Sequence, residues 1–187
     1  VISGKDKFVN SIIVKTGRLE IISGSLEHIK AELKDLQELS RLLDAEIPAD
    51  WPPPLNDEQS QNYFLKYAEE HPDTRGYSFW YIILPENGSR KLIGGIGFKG
   101  EPDEKGAIEI GYSILENRQC NGYAPEAVAG LVKWAFNQEG VKSVIAETLL
   151  DGIGSQKVLL KNGFRLASPG SEDGVIRFEL SKKYIKL

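Results

Sequence analysis

The stretch Gln119-Cys120-Asn121-Gly122-Tyr123-Ala124-Pro125-Glu126 has the residue types and spacing to do chemistry. A polar turn with one glycine opens a run of apolar residues at helical spacing: Ala124, Ala127, Val128, Leu131, Val132 and Ala135. The first turn of a helix leaves backbone N–H groups without intrahelical partners and carries the positive end of the dipole. Those groups suit an anion such as a pyrophosphate. Gly122 permits close approach of the backbone to a ligand, and Ala124 leaves space. Pro125 fits a first helical turn, where its missing N–H breaks no helix bond.

Other chemical signals fail on their context. Gly95-Ile96-Gly97-Phe98-Lys99-Gly100 fits the glycine spacing of a dinucleotide fingerprint, which must follow a strand and open a helix. Here Glu101-Pro102-Asp103 follows, which is turn sequence, and that argues against a nicotinamide oxidoreductase. There is no P-loop, no zinc-ligand spacing and no serine nucleophile elbow. Cys120 reads as a turn residue rather than a nucleophile, because His28 and His71 both lie in the N-terminal part.

The elements that must position the turn follow from periodicity and punctuation. Arg18 to Ser23 reads as a short strand, and Ser25 caps one helix or two in series carrying Leu26, Ile29, Leu33, Leu36 and Leu39. Trp51-Pro52-Pro53-Pro54 cannot lie inside a helix. Asn56 or Asp57 caps a further helix that His71-Pro72 ends. Tyr77 to Leu84, Lys91 to Lys99 and Ala107 to Leu115 form an antiparallel meander. A helix from Ala124, a strand over Val141 to Leu149, a helix over Ser155 to Lys161 and strands over Phe164 to Ala167 and Val175 to Leu180 complete the order. The result is an α/β chain, of the mixed α+β kind. Its 187 residues fit one domain over 16–187, after an N-terminal tail over 1–15.

Bulk properties narrow the partners. A net charge of -4 argues against nucleic acid held through phosphates, yet leaves room for a local basic pocket. A single cysteine rules out an intrachain disulfide, which points to a reducing, cytoplasmic setting. No apolar run is long enough to cross a bilayer, and residues 1–15 lack the pattern of a signal peptide, so no membrane partner is expected.

With these elements in order, the chain resembles the GNAT superfamily of acyltransferases. Its Gln/Arg-x-x-Gly-x-Gly/Ala motif is met by Gln119, Gly122 and Ala124. Glu109-Ile110-Gly111-Tyr112 is similar to the preceding strand, Val144 to Thr148 to the following one, and Ser155 through Phe164 to the last helix of the cofactor half. The branch it resembles includes ribosomal-protein alanine N-acetyltransferases. Three positions depart from the pattern: Cys120 stands for a glycine, Pro125 for a threonine and Gly152 for an asparagine that commonly helps hold the pantetheine arm.

The resemblance implies a central, mostly antiparallel sheet flanked by helices, acetyl-CoA as co-substrate, no metal, and direct attack by a primary amine. That amine belongs to a small molecule or a protein N-terminus; dimers are common in such families. A free lysine amine has a pKa of about 10.4, so roughly one in a thousand is neutral near pH 7.4. A base or water relay removes that penalty. The resemblance offers Glu109 for this, against a carboxylate that is merely solvent-facing or ion-paired. Ser155 or Tyr112 would serve the leaving thiolate, against a helix-start serine that caps its own backbone and a packing tyrosine. Cofactor contacts fall on Ile110, Gly111, Ile114, Leu115, Gln119, Cys120, Asn121, Gly122, Tyr123, Ala124, Gly152 and Ser155. Arg118 either adds charge at the phosphates or is solvated. Trp51, Trp80 and Tyr81 are either an aromatic wall for the acceptor or core packing. A non-catalytic acyl-CoA-binding module is the competing reading.

Overall fold

A computed structural model describes residues 11–72 and 74–185. Most of the expected tail lies outside these residues, but its end, Ile13–Lys15, is strand β1. The chain continues through β2 (Glu20–Ser23), α1 (Leu26–Lys34), α2 (Leu36–Leu43) and α3 (Glu58–Glu70). The meander is β3 (Phe79–Glu86), β4 (Ser89–Phe98) and β5 (Ala107–Ile114). Then come α4 (Tyr123–Phe136), β6 (Ser143–Leu149), α5 (Ile153–Lys161), β7 (Arg165–Pro169) and β8 (Val175–Ser181).

Helix starts follow local chemistry. The Ser25 hydroxyl accepts from the His28 amide to open α1. Asp35 closes α1 and opens α2, and Asp57 caps α3 through the Ser60 amide at 2.9 Å.

The strands form one eight-stranded sheet in the order β1-β2-β3-β4-β5-β6-β8-β7. All neighbours pair antiparallel except β5 and β6. This is a mixed α/β fold with helices on both faces. Strand β3 shows why: Trp80, Ile82 and Leu84 point into a core with α4, while Phe79, Tyr81 and Ile83 point into a second core with α2. A strand alternates its side chains between faces, so an almost unbroken apolar run implies burial on both sides.

The parallel pair β5–β6 positions the site. Its register covers only Ala107 to Glu109 against Ser143 to Ile145. Beyond Glu109 the two strands diverge, leaving a cleft in the middle of the sheet.

Candidate active site

Two spaces open along this cleft and meet. A groove of about 510 Å³ runs between the start of α4 and the face of α5. A cavity of about 270 Å³ lies toward α3 and β4. Leu55, Tyr112, Ser113 and Ser155 line both, so they mark the junction.

The far end of the groove is the turn before α4. Gly122 caps this helix at φ 80° with no side-chain hydrogen bond. The first helical bond runs from the Glu126 amide to the Gly122 carbonyl at 3.3 Å. The amides of Tyr123 and Ala124 precede it and have no helical acceptor, while Pro125 has no N–H. Cys120 is also left-handed, at φ 61°, so the turn folds back before the helix begins. The groove wall adds Arg118, Lys157 and Lys161, and none of its lining residues is acidic. On a chain of net charge -4, that is a concentrated basic surface.

A further cation comes from the β1–β2 turn. The Arg18 guanidinium lies 4.7 Å over the Tyr123 ring and donates to the Asn121 carbonyl at 3.0 Å. A Cβ on Gly122 would come within 3.3 Å of Arg18 Nη2. Glu126 holds this arrangement, accepting from the Thr16 hydroxyl at 2.6 Å, the Arg18 amide at 2.7 Å and Arg18 Nε at 2.7 Å. Burial acts to raise the Glu126 pKa, but the bonds from Thr16 and Arg18 hold it below the usual value. These residues fit a polyphosphate: amides without helical acceptors at a helix start, cations around them, and a glycine where a side chain would intrude.

At the junction, the Tyr112 hydroxyl lies 2.9 Å from Ser155 Oγ and donates to the Ser155 carbonyl at 3.1 Å. Burial, partly opposed by the Ser155 bond, pushes the Tyr112 pKa up to about 12. The phenol therefore keeps its proton at neutral pH and is a hydrogen-bond donor. Ser155 does not cap α5; Gly152 occupies that position. The serine hydroxyl thus meets Tyr112 rather than its own helix start.

The edge of β5 adds backbone donors. The Glu109 carbonyl accepts from the Lys99 amide across β4 at 3.0 Å, and the Leu115 amide donates to the Ile93 carbonyl. Odd-numbered residues therefore turn their backbone groups toward β4. Tyr112 and Ile114 turn theirs toward the cleft, where pairing with β6 has stopped.

Glu109 lies elsewhere. Ile108, Ile110 and Ile114 face the core with α4, and Tyr112 packs on the same core, so alternation sends Glu109 to the opposite face, beside α3. There its carboxylate pairs with the Lys99 ammonium. Lys99, not Glu109, is among the residues lining the cavity, and its carbonyl accepts from the Tyr63 hydroxyl at 3.1 Å.

The remaining expected residues divide clearly. Ile114, Gln119, Cys120, Gly122, Tyr123, Ala124 and Ser155 line the groove. Ile110 and Gly111 line the cavity instead. Leu115 is buried in the α2-side core. Asn121 braces the turn, donating to the carbonyls of Arg118 and Gln119 at 3.1 and 2.8 Å. A Cβ on Gly152 would sit 2.6 Å from Thr148 Oγ1, so an asparagine does not fit there without movement. Arg118 is at once a groove cation and an ion-pair partner of Glu86 at 3.3 Å. Trp80 and Tyr81 are fully buried and Trp51 is 6% exposed; none lines either space, so their place is in the cores rather than in an acceptor wall.

Several lining residues escaped the sequence reading. Lys157 and Lys161, one helical turn apart, carried a usable signal in their spacing. Leu55 and Glu147 carried none. Glu147 lines the cavity but is held by Arg177 at 2.7 Å and by the Ser171 hydroxyl at 2.6 Å. Burial works to raise its pKa, and those bonds override it to lower it.

A mixed sheet with one splayed parallel pair, and an anion-ready helix start at the splay, are the architecture expected of an acyltransferase. The family of acetyltransferase (GNAT) domains matches residues 26–165. The chain belongs to the GNAT acetyltransferase family and is an N-acyltransferase. It is 31% identical over 163 residues to YjdG of Bacillus subtilis (strain 168), an uncharacterized N-acetyltransferase, covering 86% of this chain and 94% of that protein. Among solved structures, the ribosomal-protein-S5-alanine acetyltransferase from Vibrio fischeri shares the fold with a TM-score of 0.65 at 16% identity, covering 94% of this chain and 100% of that one. RimL, a ribosomal L7/L12 alpha-N-protein acetyltransferase solved with coenzyme A, shares it with a TM-score of 0.63 at 19% identity, covering 91% and 98%.

Proposed function

We propose that the protein moves an acetyl group from acetyl-CoA to a primary amine, on a small molecule or a protein N-terminus, by direct attack. One observation carries this reading: the basic groove and the smaller cavity meet at the Tyr112–Ser155 pair. The diphosphate of the co-substrate lies at the Tyr123 and Ala124 amides, with its 3′-phosphate and diphosphate charge answered by Arg118, Lys157 and Lys161. The pantetheine arm follows the cleft edge of β5 to the junction, beyond the Ile114 carbonyl that accepts from Gln119 Nε2 at 3.0 Å.

The amine enters through the cavity. Its nitrogen lone pair forms the bond to the acetyl carbon as the carbon–sulfur bond breaks. The Tyr112 or Ser155 hydroxyl donates a hydrogen bond, then a proton, to the leaving sulfur, and regains its own proton from solvent. A backbone N–H on the cleft edge of β5 receives the developing oxyanion; such a donor contributes about 3 kcal/mol in comparable sites. The proton shed by the amine leaves through water to Glu109, since Lys99 stands between that carboxylate and the cavity.

Supply of acetyl-CoA with a panel of primary amines and short peptides bearing free N-termini tests the proposal. Release of free CoA thiol that depends on one of the amines supports it. Binding of CoA without release on any of them would instead favour the non-catalytic binding module.

A further inference from the structure

Glu32 is a carboxylate where a carboxylate is costly. It sits on α1 at 9% exposure, and every hydrogen bond it receives comes from outside that helix. Oε1 accepts from Trp51 Nε1 at 3.1 Å, Asn56 Nδ2 at 2.7 Å and Gln61 Nε2 at 3.4 Å. Oε2 accepts from the Tyr81 hydroxyl at 2.7 Å. Burial raises the Glu32 pKa, against the bonds from Tyr81, Asn56, Trp51 and Gln61. A buried carboxylate is tolerated when donors fill its lone pairs, and removing such a hub leaves each donor unsatisfied.

Two of the donors, Trp51 and Asn56, bracket the loop Pro52-Pro53-Pro54-Leu55. Among the described residues before β3, the strap Pro54–Asn56 is the stretch that reaches both spaces of the site: Pro54 lines the groove, Asn56 the cavity, and Leu55 both. Its other bonds are local: the Ser60 hydroxyl donates to the Leu55 carbonyl at 3.2 Å and the Asn56 amide to the Pro53 carbonyl at 2.9 Å. Leu55 is 72% exposed, and its amide makes only a long contact, 3.5 Å, to Ser113 Oγ across the cleft. The prolines stiffen the strap without deciding where it lies.

We propose that Glu32 is a positioning residue for the acceptor side: by gathering Trp51, Asn56, Gln61 and Tyr81 on one carboxylate, it holds the Pro54–Asn56 strap against the transfer junction. It touches no substrate. The inference rests on the acetyl-transfer reading, since the strap forms a wall of the amine's path.

The test compares Glu32→Ala and Glu32→Gln with the wild-type chain, using the fastest amine of the panel. Acceptor KM, kcat and CoA affinity are measured together with hydrogen exchange at the Trp51, Leu55 and Asn56 amides. Glu32→Ala raises acceptor KM roughly tenfold through loss of preorganisation, leaves CoA affinity within about twofold, and speeds exchange at those amides. Glu32→Gln keeps the three Oε1 contacts and can donate to the Tyr81 oxygen, so it recovers most of the KM. Should Glu32→Ala fail to fold, Trp51→Phe removes one donor from a residue that lines neither space, and a smaller change of the same pattern is expected. A folded Glu32→Ala or Trp51→Phe with unchanged KM and unchanged exchange overturns the inference. So does a loss shared equally by CoA affinity and KM. If the wild-type chain acetylated nothing, the exchange data would still decide whether Glu32 anchors the strap; an active wild type with unmoved exchange would remove Glu32 alone and leave the transfer reading in place.

Discussion

The two ends of the groove are built by different means. The end proposed for the phosphates is made of backbone amides at a helix start, with cations drawn from β1–β2, the turn before α4, and α5. No single side chain there makes the site. The end proposed for the sulfur is made of two hydroxyls from β5 and α5, brought to 2.9 Å by the packing of those elements. On the proposed function, binding is spread over many small contributions, and chemistry is concentrated in a few. Substitutions at the two ends should separate affinity from turnover.

The largest effect is expected at the sulfur end. Tyr112→Phe should lower kcat by on the order of a hundredfold while CoA affinity stays within about twofold, the pattern of a group used mainly in the transition state. Because burial holds the Tyr112 pKa near 12, its phenol stays protonated through the working range. As pH rises toward 10, no loss of kcat should arise from this group, and steady-state profiles of both enzymes will show it. A Tyr112→Phe enzyme that keeps its kcat but loses CoA would reverse the comparison.

The next effect belongs to the backbone. Gly122→Val forces a branched residue to positive φ beside Arg18 and crowds the anion site. It should weaken CoA roughly thirtyfold by calorimetry, with kcat at saturation largely kept. Glu109→Gln should slow turnover roughly tenfold without changing CoA affinity, because a relay through water is only partly replaced by solvent. Glu109 leaves the scheme if kcat is unchanged. Lys157→Ala with Lys161→Ala should weaken CoA only a few-fold, with a loss that shrinks as salt rises. Smallest of all, Cys120→Ala should leave CoA binding within about twofold, because that position contributes backbone rather than thiol.

The sequence made the phosphate end legible for a physical reason. A glycine turn, a proline in the first helical turn and an apolar helical stripe are local signals, and the Gly122 turn and α4 follow from them. Strands and helices elsewhere were readable on the same grounds, down to Asp57 as the cap of α3. The sulfur end was only half readable. Tyr112 and Ser155 stood out as candidates, but their contact spans 43 residues and depends on how β5 and β6 diverge. Alternation along β5 then separates Glu109 from Tyr112, a consequence of three-residue spacing that the sequence carries and the motif obscures. The aromatic residues allowed two readings from sequence, and Trp80 and Tyr81 sit on a strand buried on both faces, where size serves packing. Arg18 and Glu32 left no local trace, since each acts through partners far along the chain.

The most direct measurement is a structure of the chain with CoA. The account predicts diphosphate oxygens within about 3 Å of the Tyr123 and Ala124 amides, and the sulfur within hydrogen-bond reach of the Tyr112 hydroxyl. A diphosphate bound away from the Gly122 turn, or a sulfur directed out of the cleft between β5 and β6, would contradict it.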